Sequence, residues 1–158
     1  MSEPSGYRRP SAAFRAFART PELAFRLGLG ALFGRRLCML THVGRTSGLV
    51  RRTVLEVVEE DRERHTVVLA SGFGVSQWLR NIRAAPPLRL DLGSEHWVPS
   101  VRELEPEERA AVLERYQRRH PKAARALGQK LLGVPFDGSP GSAQALAERT
   151  PMVEIGRA

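Results

Sequence analysis

Arg45, Thr46, Ser47, Arg51 and Arg52 crowd into one short stretch that Gly44 and Gly48 punctuate. Guanidinium forks give paired hydrogen bonds to planar oxyanions, and hydroxyls and turn N–H groups add further donors. The chemistry such a set performs is the holding of a phosphate or a carboxylate. The apolar run Cys38-Met39-Leu40 leads into the stretch, and Val54-Leu55-Glu56-Val57-Val58 leaves it. The pattern is strand, tight basic turn, strand, with the two glycines free to take positive φ. An ordinary hairpin with a solvated basic tip carries the same signature.

A second group follows. His65 to Ser71 is a nearly continuous apolar strand that breaks at Ser71-Gly72-Phe73-Gly74. Two glycines there let backbone approach a flat or phosphorylated ligand. Ser76 then caps a short helix over 77–83, which places Trp78, Asn81 and Ile82 on one face. Packing on a ligand ring and filling the core explain Trp78 equally well. His42, inside the first strand, reads as core filler, and His65, among charged residues, reads as exposed. Cys38 is a small core residue in an apolar run.

Composition narrows the partner. The chain has 158 residues, 42% of them hydrophobic, which suits one domain with its own core. Its net charge is +8, and all but Lys122 and Lys130 of its 25 basic residues are arginine. That bias favours an anionic partner recognised by bidentate geometry: a phosphorylated cofactor, an acidic lipid surface or a nucleic acid. One cysteine excludes an intramolecular disulfide and a cysteine-based zinc site. Neither a signal peptide nor an apolar run long enough to span a bilayer is seen, so the expected location is cytoplasmic.

The organisation expected is a flexible N-terminus over 1–10, N-terminal helices over 11–36 and one domain over 37–158. Thr20-Pro21-Glu22 starts the second of those helices, which carries Leu23, Ala24, Leu27 and Leu32 and ends near Gly34. With Phe14 and Phe17 of the first, its apolar face suits closure of the domain's open side or, given Arg26 and Arg36, peripheral contact with an anionic membrane. Glu59 to Arg64 reads as a charged turn. Leu88 to Leu92 and Glu95 to Leu104 pair as further strands, Glu105-Pro106-Glu107-Glu108 opens a helix, and Met152 to Ile155 closes the chain. Six short, mostly antiparallel strands with peripheral helices predict a small barrel.

Three blocks lie in order: Leu-Thr-His-Val-Gly-Arg-Thr-Ser-Gly over 40–48, Val-Leu-Ala-Ser-Gly-Phe-Gly over 68–74 and Trp-Leu-Arg-Asn-Ile-Arg-Ala-Ala-Pro over 78–86. Together they resemble the deazaflavin-dependent nitroreductase family, which uses the coenzyme F-420. The resemblance implies a split β-barrel like that of flavin-mononucleotide-binding proteins. It further implies hydride transfer from reduced cofactor to a quinone-like, nitroaromatic or enone substrate. Carried over residue by residue, it assigns cofactor binding to Gly44, Arg45, Ser47, Gly48 and Arg51, to Ser71, Gly72, Phe73 and Gly74, and to Trp78, Asn81 and Arg83. The cofactor's phosphate and glutamate tail match the arginines. Where the family carries a base, this chain has Thr46, with Arg52 placed to supply the missing contact. Leu79 also replaces a usual aromatic residue.

An enzyme of this kind needs donors for charge developing on substrate oxygen more than acid–base machinery. Ser71 is the candidate catalytic donor, and Tyr116 is the weaker one. The rival readings are a non-enzymatic barrel binding flavin, haem or another anion, with flavin mononucleotide as the alternative cofactor, and a basic nucleic-acid module. With aromatic residues at only 6%, the chain lacks the stacking platform the last would need, so no nucleic-acid partner is expected.

Overall fold

The computed structural model describes residues 22–72, 74–133 and 136–158. The flexible stretch expected over 1–10, the helix expected from Ser11 with Phe14 and Phe17, and the proposed site residue Phe73 lie outside them. Seven strands form one sheet: β1 (Leu37–Val43), β2 (Val50–Asp61), β3 (Thr66–Ala70), β4 (Arg89–Leu92), β5 (Glu95–Trp97), β6 (Pro99–Glu103) and β7 (Met152–Arg157). Their order is β5-β4-β1-β2-β3-β7-β6, and every pairing is antiparallel.

Two corners curl this sheet into a split β-barrel. The first is in β2. Its early residues pair with β1, then the register slips between Val57 and Glu59 and the rest pairs with β3. A bulge of this kind bends a strand and tightens its twist. The second is at Val98. Sequence reading gave one strand over 95–104, but the chain pairs with β4 as β5 and then with β7 as β6. Pro99, lacking an N–H, interrupts the ladder there, and the Val98 carbonyl accepts from the N–H of Ala158 at 2.9 Å. Six expected strands therefore become seven.

β2 also runs further than expected. Glu59, Glu60 and Asp61 belong to it instead of to a turn. Ion pairs hold two of them in place, Glu59 with Arg115 at 2.7 Å and Glu60 with Arg35. His65 stands in the turn itself with φ 52°, and β3 begins at Thr66.

β3 is buried on both faces because two cores share it. Val67 and Leu69 join Cys38, Leu40, Leu90, Leu92, Val153 and Ile155 inside the barrel. Val68 faces the other way, into a layer with α2 (Pro106–Arg119), α3 (Pro121–Leu132) and α4 (Ser142–Arg149). A further helix, α1 (Gln77–Ala84), sends Trp78, Leu79 and Ile82 into the barrel interior. Each such side chain contributes on the order of 1.5–3 kcal/mol by leaving water.

The second N-terminal helix is shorter than expected. Residues 22–26 are helical, Gly28 turns the chain at φ 76°, and a 3-10 turn covers Gly30–Phe33. Phe25 packs inward, stacked on Phe33 at 5.7 Å between ring centroids. Leu23, Leu27 and Leu32 are exposed, so they do not close the barrel. No helix among the described residues is long and apolar enough to cross a membrane.

Candidate functional site

The β1–β2 turn and α1 enclose a cleft of about 430 Å³, lined by His42, Gly44, Arg45, Thr46, Ser47, Arg51, Arg52, Thr53, Gln77, Trp78 and Asn81. The turn is tightly wound. The Gly44 N–H donates to the Leu49 carbonyl, and the Gly48 N–H donates to the Gly44 carbonyl, each at 2.8 Å. A Cβ on Gly44 would lie 2.6 Å from Ser47 Oγ, while Gly48 takes φ 69°. A side chain at Gly44 would push the Ser47 hydroxyl aside, and Gly48 takes a backbone conformation that favours glycine.

Asn81 ties helix to turn. Its Oδ1 accepts from the backbone N–H of Arg45 at 3.1 Å and from Arg45 Nη1 at 2.9 Å. Its Nδ2 lies 3.2 Å from Nδ1 of His42, whose Nε2 is 3.0 Å from Thr53 Oγ1. Antiparallel register explains this meeting. Leu40 faces Thr53 and His42 faces Arg51, so His42, Arg51 and Thr53 share the barrel-facing side of the ladder. Burial, and then the Arg51 charge, push the His42 pKa below its ordinary value.

No carboxylate lines this cleft, and among the described residues Arg45, Arg51 and Arg52 form no ion pair. A slightly larger cleft of about 480 Å³ lies between the sheet and α2, but its charges are spent internally. There Arg102 pairs with Glu108 at 2.9 Å and Arg115 with Glu59 at 2.7 Å. The cleft with uncompensated cations is the better anion site.

Of the residues singled out from sequence, the structure brings Gly44, Arg45, Thr46, Ser47, Arg51, Arg52, Trp78 and Asn81 to this cleft, with Gly48 supporting the turn. Trp78 is 93% buried by packing with Leu40 and Leu79 yet still contributes to the wall, so both roles weighed for it are structurally open. Five residues go elsewhere. Arg83 forms a two-pronged ion pair with Glu103, at 2.5 and 2.9 Å, which lowers the carboxyl's pKa. Ser71 is buried, and its hydroxyl donates to the Gly74 carbonyl and accepts the Ser76 N–H at 3.0 Å. It fastens the turn before α1 and does not line the cleft. Gly72 and Gly74 belong to that same turn. Tyr116 lies in the helical layer, its hydroxyl 3.4 Å from Glu56, and burial pushes its pKa up to about 12.

Sequence reading missed His42, Thr53 and Gln77 as wall residues. The available signal was parity: His42 alternates with Cys38 and Leu40, and a polar Asn81 shares a helix face with Trp78.

A split barrel with an arginine-lined cleft is thus the class of protein that fold and site define. Residues 22–133 match the family of F420H(2)-dependent quinone reductases, and the chain belongs to that family. It is a deazaflavin-dependent reductase, and its cofactor is F-420. Among solved structures it is similar to an F420-H2 dependent reductase, FDR-A, with 21% identity, 77% of this chain and 94% of that one covered and a TM-score of 0.49. A protein of unknown function from Agrobacterium tumefaciens is 18% identical, over 98% of this chain and 58% of that one, with a TM-score of 0.52. A pyridoxamine 5'-phosphate oxidase-related, FMN-binding protein from Nostoc punctiforme is 11% identical, over 95% and 81%, with a TM-score of 0.46. At these identities the Agrobacterium likeness shows the fold alone. No curated protein matches the chain.

Proposed function

We propose that the cleft between the β1–β2 turn and α1 binds the anionic part of the deazaflavin and that the reduced cofactor's hydride goes to a quinone-like substrate. The carrying observation is the set of three arginines, without a carboxylate, beside the hydroxyls of Thr46, Ser47 and Thr53. Arg45, Arg51 and Arg52 would hold the phosphate and glutamate tail, with Thr46 and Ser47 as further donors. Trp78 supplies an apolar wall against which a flat ring can rest. When bound, the cofactor supplies the hydride; the protein holds the ring, excludes water and fixes the geometry of approach.

The family description favours quinones over the nitroaromatic and enone substrates the sequence blocks also suggest. Mixing protein and reduced F-420 with a naphthoquinone, a nitroaromatic or a cyclic enone tests this by return of cofactor absorbance. Fastest turnover with the quinone is expected; turnover only with an enone or nitro compound would reject the substrate assignment. The exposed Leu23, Leu27, Leu29 and Leu32 beside Arg26 and Arg36 support peripheral contact with an anionic membrane, which cosedimentation with acidic vesicles tests.

A further inference from the structure

His42 sits at the back of the cleft with both ring nitrogens engaged. A donor inventory fixes their roles. Asn81 Oδ1 already receives two N–H groups from Arg45. Reversing the amide would set its NH₂ against both donors. The Nδ2 group therefore turns to His42 and donates, so His42 Nδ1 accepts and carries no proton. The ring proton is on Nε2 and goes to Thr53 Oγ1. Groups around the ring reinforce the neutral state. The turn brings Arg45, and β2 brings Arg51 beside the ring, while Arg52 lines the cleft but pairs with Thr41 on the other face. The helix α1 adds only the uncharged Gln77, Trp78 and Asn81 to the wall. On β4, Leu90 pairs with Leu40 on His42's face, while Arg89 and Asp91 pair with Thr41 and Met39 on the other.

We propose that His42 is a positioning residue: as a neutral acceptor it fixes the Asn81 amide, which holds Arg45 toward the cleft. The proposal rests on the reading of that cleft as the cofactor's anion site. A protonated His42 would donate from both nitrogens, the amide would have to reverse, and Arg45 would lose both of its contacts with Asn81. The role is therefore one of orientation, because added positive charge alone would favour an anion.

Two readouts test it. The first is the ¹⁵N spectrum of the imidazole, in the wild type and in Asn81→Asp. The wild type should show the Nε2–H tautomer. Asn81→Asp still accepts from Arg45 but offers His42 no donor, so the His42 titration midpoint should move up. The second is fluorescence titration with F-420. His42→Leu should bind about tenfold more weakly. His42→Asn keeps an acceptor near the Nδ1 position and should recover to within about threefold of wild type. An Nδ1–H tautomer, or wild-type affinity in folded His42→Leu, overturns the proposal. If His42→Leu does not fold, the tautomer, the Asn81→Asp shift and the His42→Asn affinity still decide. A wild-type protein that ignores F-420 rejects the cofactor site, while the spectra separately accept or reject the clamp.

Discussion

Asn81 Oδ1 receives both the backbone N–H and the guanidinium Nη1 of Arg45, at 3.1 and 2.9 Å, across the seam between α1 and the β1–β2 turn. One side chain thereby sets both the path of the turn and the aim of its first arginine. Asn81→Ala should cost about 1–3 kcal/mol of stability, since the buried His42 Nδ1 loses its donor and the part-buried Arg45 groups lose their acceptor. Trp78, Leu79 and Ile82 keep α1 docked, so the fold should survive. Chemical denaturation measures the loss; an unchanged midpoint would show that the turn stands without the clamp.

Ser71→Ala separates fastening from catalysis. The hydroxyl is committed to Gly74 and Ser76, so its removal should lower stability by about 1–3 kcal/mol. Turnover per folded molecule should change little. A hundredfold loss of turnover at full stability would instead make Ser71 a donor to substrate.

The two turn glycines should fail differently. Gly44→Ala puts a Cβ 2.6 Å from Ser47 Oγ, so the hydroxyl must rotate away from the Leu49 N–H and from the cleft, and cofactor binding should weaken with little loss of stability. Gly48→Ala meets no atom within 4 Å but must hold φ 69°, at about 1–2 kcal/mol. Equal losses of affinity in the two variants would contradict this distinction.

Stability should depend on pH through His42. Its folded pKa is lowered, by burial first and by Arg51 second, while the unfolded chain titrates near the ordinary value of about 6.5. Below that value the unfolded state binds a proton that the native ring resists, so stability falls as pH drops through it and levels off below the folded pKa. Above it both states are neutral and His42 contributes no slope. Comparing unfolding of wild type and His42→Asn from about pH 5 to 7.5 isolates this component; identical slopes would show that His42 titrates normally.

Much of this was legible from residue types. The turn was visible because Gly44 and Gly48 bracket hydroxyls and arginines between two apolar runs. The two-sided burial of β3 was visible because His65 to Ser71 lacks alternation. The barrel's corners were not. The bulge after Val57 and the switch of partner at Val98 depend on which strands lie on either side, and local pattern does not carry that. The destination of Arg83 was hidden for the same reason: its partner Glu103 is on β6. His42 and Asn81 looked like isolated polar residues on apolar faces. Only the fold makes them partners.

The direct test is equilibrium titration of F-420 fluorescence with wild type, Arg45→Ala, Arg51→Ala and Arg83→Ala. The wild type should bind. Loss of Arg45 or Arg51 should each cost about 1.5–3 kcal/mol, roughly ten- to a hundredfold in affinity. Arg83→Ala, which breaks only the pair with Glu103, should bind as the wild type does. Fluorescence that stays unchanged at saturating wild-type protein, with flavin mononucleotide bound instead, would contradict the account.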